Sequence, residues 1–155
     1  MLREIGVAYN GSSESEHALA VARGLAAEHG AKLSAFEAVS VSAYLSVPGG
    51  GMAIESLPTL VDQARARIAA LDNVEPHAAY GVAAEELAVY SASLDLLVVG
   101  SRGYGPIGRF VHGSTSRQLA RSARCPLLVL TRAARAVRQA DLDHAGRSPA
   151  AAVVS

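Results

Sequence analysis

Apolar positions along the chain alternate between short strand-like runs and stretches with helical spacing. Ile5-Gly6-Val7-Ala8-Tyr9 is a β-leaning run that stops at the turn-forming Asn10-Gly11-Ser12. Ser13 with Glu16 three residues on predicts a capping box, after which Ala18, Leu19, Ala22, Leu25 and Ala26 recur at helical spacing up to the stop signal Gly30. Leu33 to Val41 predicts a second strand, and Pro48-Gly49-Gly50-Gly51 marks a loop of the kind that serves as a lid or variable insert. Leu57, Leu60, Val61, Ala64, Ile68 and Leu71 define one face of a second helix, with Pro58 tolerated in its first turn.

The alternation continues to the last third of the chain. Val74 to Tyr80 reads as a third strand ending at Gly81, followed by a short helix near Ala83 to Ser91 with Glu85 and Glu86 at its positive end. Leu94 to Val99 is an almost unbroken apolar run, the pattern of a strand covered on both faces in a parallel sheet, and it ends at Gly100. A long loop to about His112, a helix over Ser114 to Ala123 and a last strand, Leu127 to Thr131, complete the series. Five strands alternating with helices predict an α/β fold with a doubly wound sheet in one domain, residues 1–132. Residues 133–155 lose all periodicity and are expected to be a disordered tail.

Composition narrows the function more than the fold. Half of the 155 residues are hydrophobic, enough for a sizeable aliphatic core. Fourteen basic residues balance fourteen acidic ones, so the basic excess that nucleic-acid binding relies on is missing. The single cysteine, Cys125, can form neither an intrachain disulfide nor a thiolate cluster and reads as a small buried apolar residue, which fits a reducing compartment. There is no signal-peptide pattern, and no apolar run approaches the ~20 residues that span a bilayer. A soluble, cytoplasmic protein without a membrane partner is expected.

Between the fourth strand and the following helix, Gly100 to Thr115 holds five glycines. Glycine lets backbone N–H groups approach phosphate oxygens without an intervening Cβ, and a helix N-terminus adds partial positive charge. Three patterns overlap here. Gly103-x-Gly105-x-x-Gly108 matches a dinucleotide fingerprint, but it does not follow the first strand, and the next strand ends in Thr131-Arg132 where an acidic residue is required. Gly108 to Gly113 followed by Ser114-Thr115 resembles a P-loop that lacks its lysine. The third pattern spans the whole stretch: Gly100, two residues, Gly103, nine residues, Gly113, then Ser114.

That spacing resembles the signature of ATP-binding universal stress proteins. The resemblance covers about 130 residues, from the first strand and turn, Ile5 to Ser12, through Leu130. It implies a five-stranded parallel sheet of order 3-2-1-4-5, Rossmann-like, with ATP across the C-terminal edge, and a homodimer. It places Gly100, Gly103, Gly113, Ser114 and Thr115 at the phosphates, Ser101 and Arg102 at the ribose and phosphate side, and Val41 at the adenine. Asn10 stands where the family usually has Asp; it can hydrogen-bond ribose or base but offers no negative charge to Mg²⁺, leaving the phosphates to carry any metal.

Bland readings suffice for other residues. Arg109 reads as a solvated charge, His112 has no partner at metal-ligand spacing, and Ser114 has neither a nucleophile elbow nor an identifiable base. Two function classes remain: a nucleotide-dependent regulatory or stress-response protein, and an enzyme that slowly hydrolyses ATP or transfers its adenylyl group. The residues supply a phosphate cradle but no positioned base, metal site or cation for the transition state, which favours the first class with at most a weak ATPase. The last strand, without charge or internal proline, is the expected dimer edge.

Overall fold

The computed structural model describes residues 1–40, 56–101 and 114–131. Its strands are β1 (Glu4–Ala8), β2 (Lys32–Val39), β3 (Glu75–Tyr80), β4 (Leu96–Gly100) and β5 (Leu127–Leu130). The helices are α1 (Ser13–His29), α2 (Leu57–Ala69), α3 (Ala83–Tyr90) and α4 (Ser114–Ser122), with a 3₁₀ turn at Ser91–Ser93 leading toward β4. All strand pairs are parallel and the order is β3-β2-β1-β4-β5, the order that the resemblance implied.

Period-two alternation decides which side chains meet which helices. Ile5, Val7 and Tyr9 of the first strand segment, Leu33 and Ala35 of β2 and Val98 of β4 pack with Ala18, Leu19 and Ala22 of α1 and Ile68 of α2. Phe36 of β2 and Leu97 and Val99 of β4 face the other way, onto Leu87 and Ala88 of α3 and Leu119 of α4. Helices therefore cover both faces, and β4 is buried on both, which explains its continuous apolar run. Ile5, Ile68, Leu97 and Leu119 are fully buried, each contributing roughly 1.5–3 kcal/mol of transfer free energy.

One close approach to the sheet is made at Gly6. A Cβ on Gly6 would lie 2.3 Å from Leu94 Cδ1 and 2.7 Å from the Tyr90 hydroxyl. Tyr90 occupies that space in order to reach the Ser34 hydroxyl and to stack on Phe36 at a 4.9 Å centroid distance, and burial pushes its phenol well above the ordinary range.

The N-terminal edge of the sheet is tied by charge. Asp95 Oδ2 accepts from the backbone N–H groups of Arg3 at 2.7 Å and Glu4 at 3.0 Å, which holds its carboxyl below the usual aspartate range. Lys32 pairs with Glu4 at 3.3 Å, and Arg23 donates to the Asp72 carbonyl at 2.7 Å.

Several sequence expectations shift. The cap of α1 is Ser12, not Ser13: Ser12 is extended, at φ −73° and ψ 159°, and its side chain accepts from Ser15 N. Glu16 is drawn instead to the Tyr9 hydroxyl, so no capping box forms. Leu94 and Asp95 precede β4, Ser91 belongs to the 3₁₀ turn, and Thr131 follows β5. Cys125 is half-buried rather than a core residue, its thiol pushed up by desolvation. The loop around Pro48 and the expected tail fall outside the described residues. No described helix is long and apolar enough to cross a membrane.

Candidate functional site

After β3 the chain returns past β2 and β1 to lay down β4, so its direction across the sheet reverses between β1 and β4. In open parallel sheets such a reversal leaves a crevice at the carboxyl ends of the two strands. Here it is a cavity of about 320 Å³ on the face covered by α3 and α4, within the size range of small-molecule sites. A larger depression of about 530 Å³ lies at the opposite edge, beside Arg23, Lys32 and Glu75. Its cations already serve Asp72 and Glu4, so we place the candidate site in the smaller cavity.

One wall is the crossing from β1 to α1. Gly11 takes φ +76°, a conformation that suits glycine. Asn10 Oδ1 accepts from Ser12 N at 3.0 Å, closing an Asx turn. Ser15 Oγ accepts from Asn10 N at 3.3 Å and donates to the Ser12 carbonyl at 2.9 Å. Beneath the turn, burial and the Glu16 carboxylate push the Tyr9 phenol up to about 12, so it stays a neutral donor at ordinary pH.

The other wall begins at the end of β4. A Cβ on Gly100 would lie 2.3 Å from the carbonyl oxygen of Glu14, so the missing side chain is what lets the first turn of α1 rest against β4. Ser101 is buried and its N–H donates to the Leu130 carbonyl at 2.8 Å, tying the chain to β5 as it leaves the sheet. The chain returns at α4, whose Thr115 and Ser116 line the cavity.

Ala8, Phe36, Ala38, Leu87 and Val99 give the cavity an apolar floor. Asn10, Ser12, Ser15, Ser40, Thr115 and Ser116 give it a neutral polar rim, and no charged side chain is among its described lining. The N-terminal ends of α1, α3 and α4 contribute lining residues as well, and helix N-termini favour anionic groups. The arrangement can take a ligand with one flat apolar part and several acceptor oxygens. The described lining offers no carboxylate oxygen to a divalent cation, and no group of three or more His, Cys, Asp or Glu among the described residues could hold a metal.

Of the residues singled out in the sequence, Asn10, Gly100 and Thr115 meet at this cavity. Ser101 sits one residue beyond Gly100, and Ser114 is the first residue of α4. Val41, Arg102, Gly103 and Gly113 lie outside the described residues. Ser12, Ser15, Ser40, Ser116, Phe36 and Leu87 were not anticipated. Ser12 and Ser15 were open to recognition as a cap and its partner three residues on; Phe36 and Leu87 look like ordinary core residues. Another unforeseen pair lies on the opposite face, where Arg67 holds Glu37 Oε1 at 2.6 Å while the buried Oε2 has no hydrogen-bond partner among the described residues.

The family model for the universal stress protein family matches residues 1–131. A Thermus aquaticus relative, described as the universal stress protein in the QAH/OAS sulfhydrylase 3′ region, is 34% identical over 136 residues, covering 84% of this chain and 99% of its own length. Among solved structures, the universal stress protein UspA from Lactobacillus plantarum aligns with a TM-score of 0.58 at 23% identity, over 83% of this chain and 97% of that one. A universal stress protein solved in complex with cAMP aligns with a TM-score of 0.57 at 25% identity, over 84% and 97%.

Proposed function

The chain belongs to the universal stress protein family, and from that premise we propose that it binds ATP at the C-terminal edge of its sheet and acts as a nucleotide-dependent regulatory or stress-response protein. The observation that carries this reading is the meeting of the Asn10 to Ser15 crossing with Gly100, Thr115 and Ser116, the described ends of the second crossing, at one cavity with an apolar floor and a rim of donors. The apolar floor suits a base, and the donors and helix N-termini suit phosphate. The relative in complex with cAMP supports an adenine nucleotide as the ligand class. The glycine stretch from Gly100 to Gly113, with Arg102 and Gly103, completes the phosphate side in this reading, and Val41 the adenine side. The described lining offers hydroxyl and amide groups rather than a general base, so holding the nucleotide is favoured over turning it over.

Calorimetry on the full chain tests the proposal. ATP should bind at least about tenfold more tightly than GTP, and equal affinities would remove the adenine assignment.

A homodimer through β5 accompanies this reading. The sheet has two edges, and β3 carries Glu75 and Pro76, which blunt it against further pairing. β5 is Leu-Leu-Val-Leu, half-buried along its whole length, and an uncharged, proline-free edge calls for a partner. Light scattering should give a dimer mass, shifted toward monomer by Val129→Pro; an unshifted dimer would place the interface elsewhere.

A further inference from the structure

Asn10 is exposed at the carboxyl end of β1 and lines the cavity, at the position where the family resemblance leads one to expect an aspartate and, with it, a metal. The Asn10 oxygen accepts from Ser12 N at 3.0 Å. A backbone N–H can only donate, so the atom it meets is the carbonyl oxygen, and the orientation of the amide is settled. The other end of the side chain carries two N–H donors and no lone pair for a cation. Its uncharged oxygen, already shared with an N–H, is a poor replacement for carboxylate.

Among the described residues, neighbouring groups do not make up the deficit. Ser12 Oγ accepts from Ser15 N at 3.2 Å, and Ser15 Oγ is bound to Asn10 N and the Ser12 carbonyl. Both hydroxyl oxygens are uncharged and already accept an N–H within the turn. Glu14 meets Gly100 with its backbone and Cβ and is not part of the cavity lining. Mg²⁺ takes a near-octahedral oxygen shell, usually with one or two carboxylates beside phosphate and water.

We infer that Asn10 is a specificity-determining residue that makes nucleotide binding independent of a divalent cation by presenting an N–H donor to the ligand. The inference rests on the adenine-nucleotide reading above. A donor gains most from a fully charged phosphate or an oxygen lone pair. Mg²⁺ partly neutralises the phosphates, so it should leave affinity unchanged or weaken it slightly. An aspartate at the same position would accept the same Ser12 N–H, preserving the turn, but would repel bare phosphate and welcome the cation.

Calorimetry on the full chain and on Asn10→Asp, with ATP in excess Mg²⁺ and in EDTA, tests this. For the natural chain the two dissociation constants should agree within about threefold, whereas in Asn10→Asp Mg²⁺ should tighten binding by about tenfold or more. Tenfold tightening by Mg²⁺ in the natural chain would overturn the inference. So would an Asn10→Asp variant that melts like the parent, binds ATP and ignores Mg²⁺. If neither ATP, AMP nor cAMP binds the natural chain under either condition, the adenine-nucleotide reading fails and the inference with it.

Discussion

At the N-terminal edge of the sheet charged groups answer one another, whereas at the C-terminal edge the described side chains that line the cavity are uncharged. Asp95 fastens the start of β1, Lys32 meets Glu4, and Arg23 reaches the Asp72 carbonyl, so the wider depression there has its charges committed. The narrower cavity opposite is ringed by hydroxyls, an amide and helix N-termini over apolar strand ends. Size alone would choose the first; what each wall still has to offer chooses the second. In the proposed reading, one end of the sheet serves stability and the other recognition.

The contrast is broken most severely at Gly100. A branched side chain there would collide with the Glu14 carbonyl, and backbone cannot swing away as the end of a flexible side chain can. Gly100→Val should cost about 3 kcal/mol of stability, measured by urea denaturation, and should push α1 away from the cavity. Gly24, exposed within α1 with no atom within 4 Å of a built Cβ, serves as the control. Gly24→Ala should stabilise by about 0.5–1 kcal/mol. A tolerated Gly100→Val would mean that this glycine is not there for the helix contact.

Ser12 sharpens the comparison at smaller amplitude. Removing its hydroxyl takes away the α1 cap but leaves its N–H to hold Asn10. Ser12→Ala should cost about 1 kcal/mol and weaken nucleotide binding less than a change at Asn10 does. A larger loss of affinity than of stability would give Ser12 a direct contact with the ligand.

How much of this was legible in the sequence differs between the same two ends. The strands were readable because Leu97, Val98 and Val99 are buried on both faces and so form an unbroken apolar run. Asn10, Gly100 and Thr115, which meet at the cavity, were singled out through the family resemblance, helped by the demands that turns and helix starts make on residue type. The cap was misplaced because Ser13 and Glu16 fit the capping pattern, while the choice between adjacent serines is made by backbone angles and by Tyr9, which claims Glu16 from the sheet. Phe36 and Leu87 were missed as lining because nothing local separates an apolar residue under a cavity from one in the core. The fastening of β1 by Asp95 spans more than ninety positions, and such a bond leaves no trace in local pattern.

The smallest effect is expected at that fastening, and its pH dependence identifies it. The Asp95 carboxylate accepts two backbone N–H bonds, from Arg3 and Glu4, and its carboxyl is lowered from the usual value with these bonds as the leading cause. A carboxyl lowered in the folded state binds its proton less readily there than in the unfolded chain. Its contribution is therefore complete above the unfolded value of about 3.9 and is lost as pH falls through the lower folded value. Asp95→Asn keeps an acceptor oxygen but cannot titrate, so the parent should exceed it in stability at pH 7, and the gap should close in acid. The group is only partly buried, so added salt will screen the attraction of the N-terminal charges while leaving the short hydrogen bonds in place. Urea titrations of both proteins at pH 7 and near pH 2.5, each at low and high salt, separate the two contributions. A gap that persists in acid would mean that packing, rather than the carboxylate charge, secures the N-terminal edge.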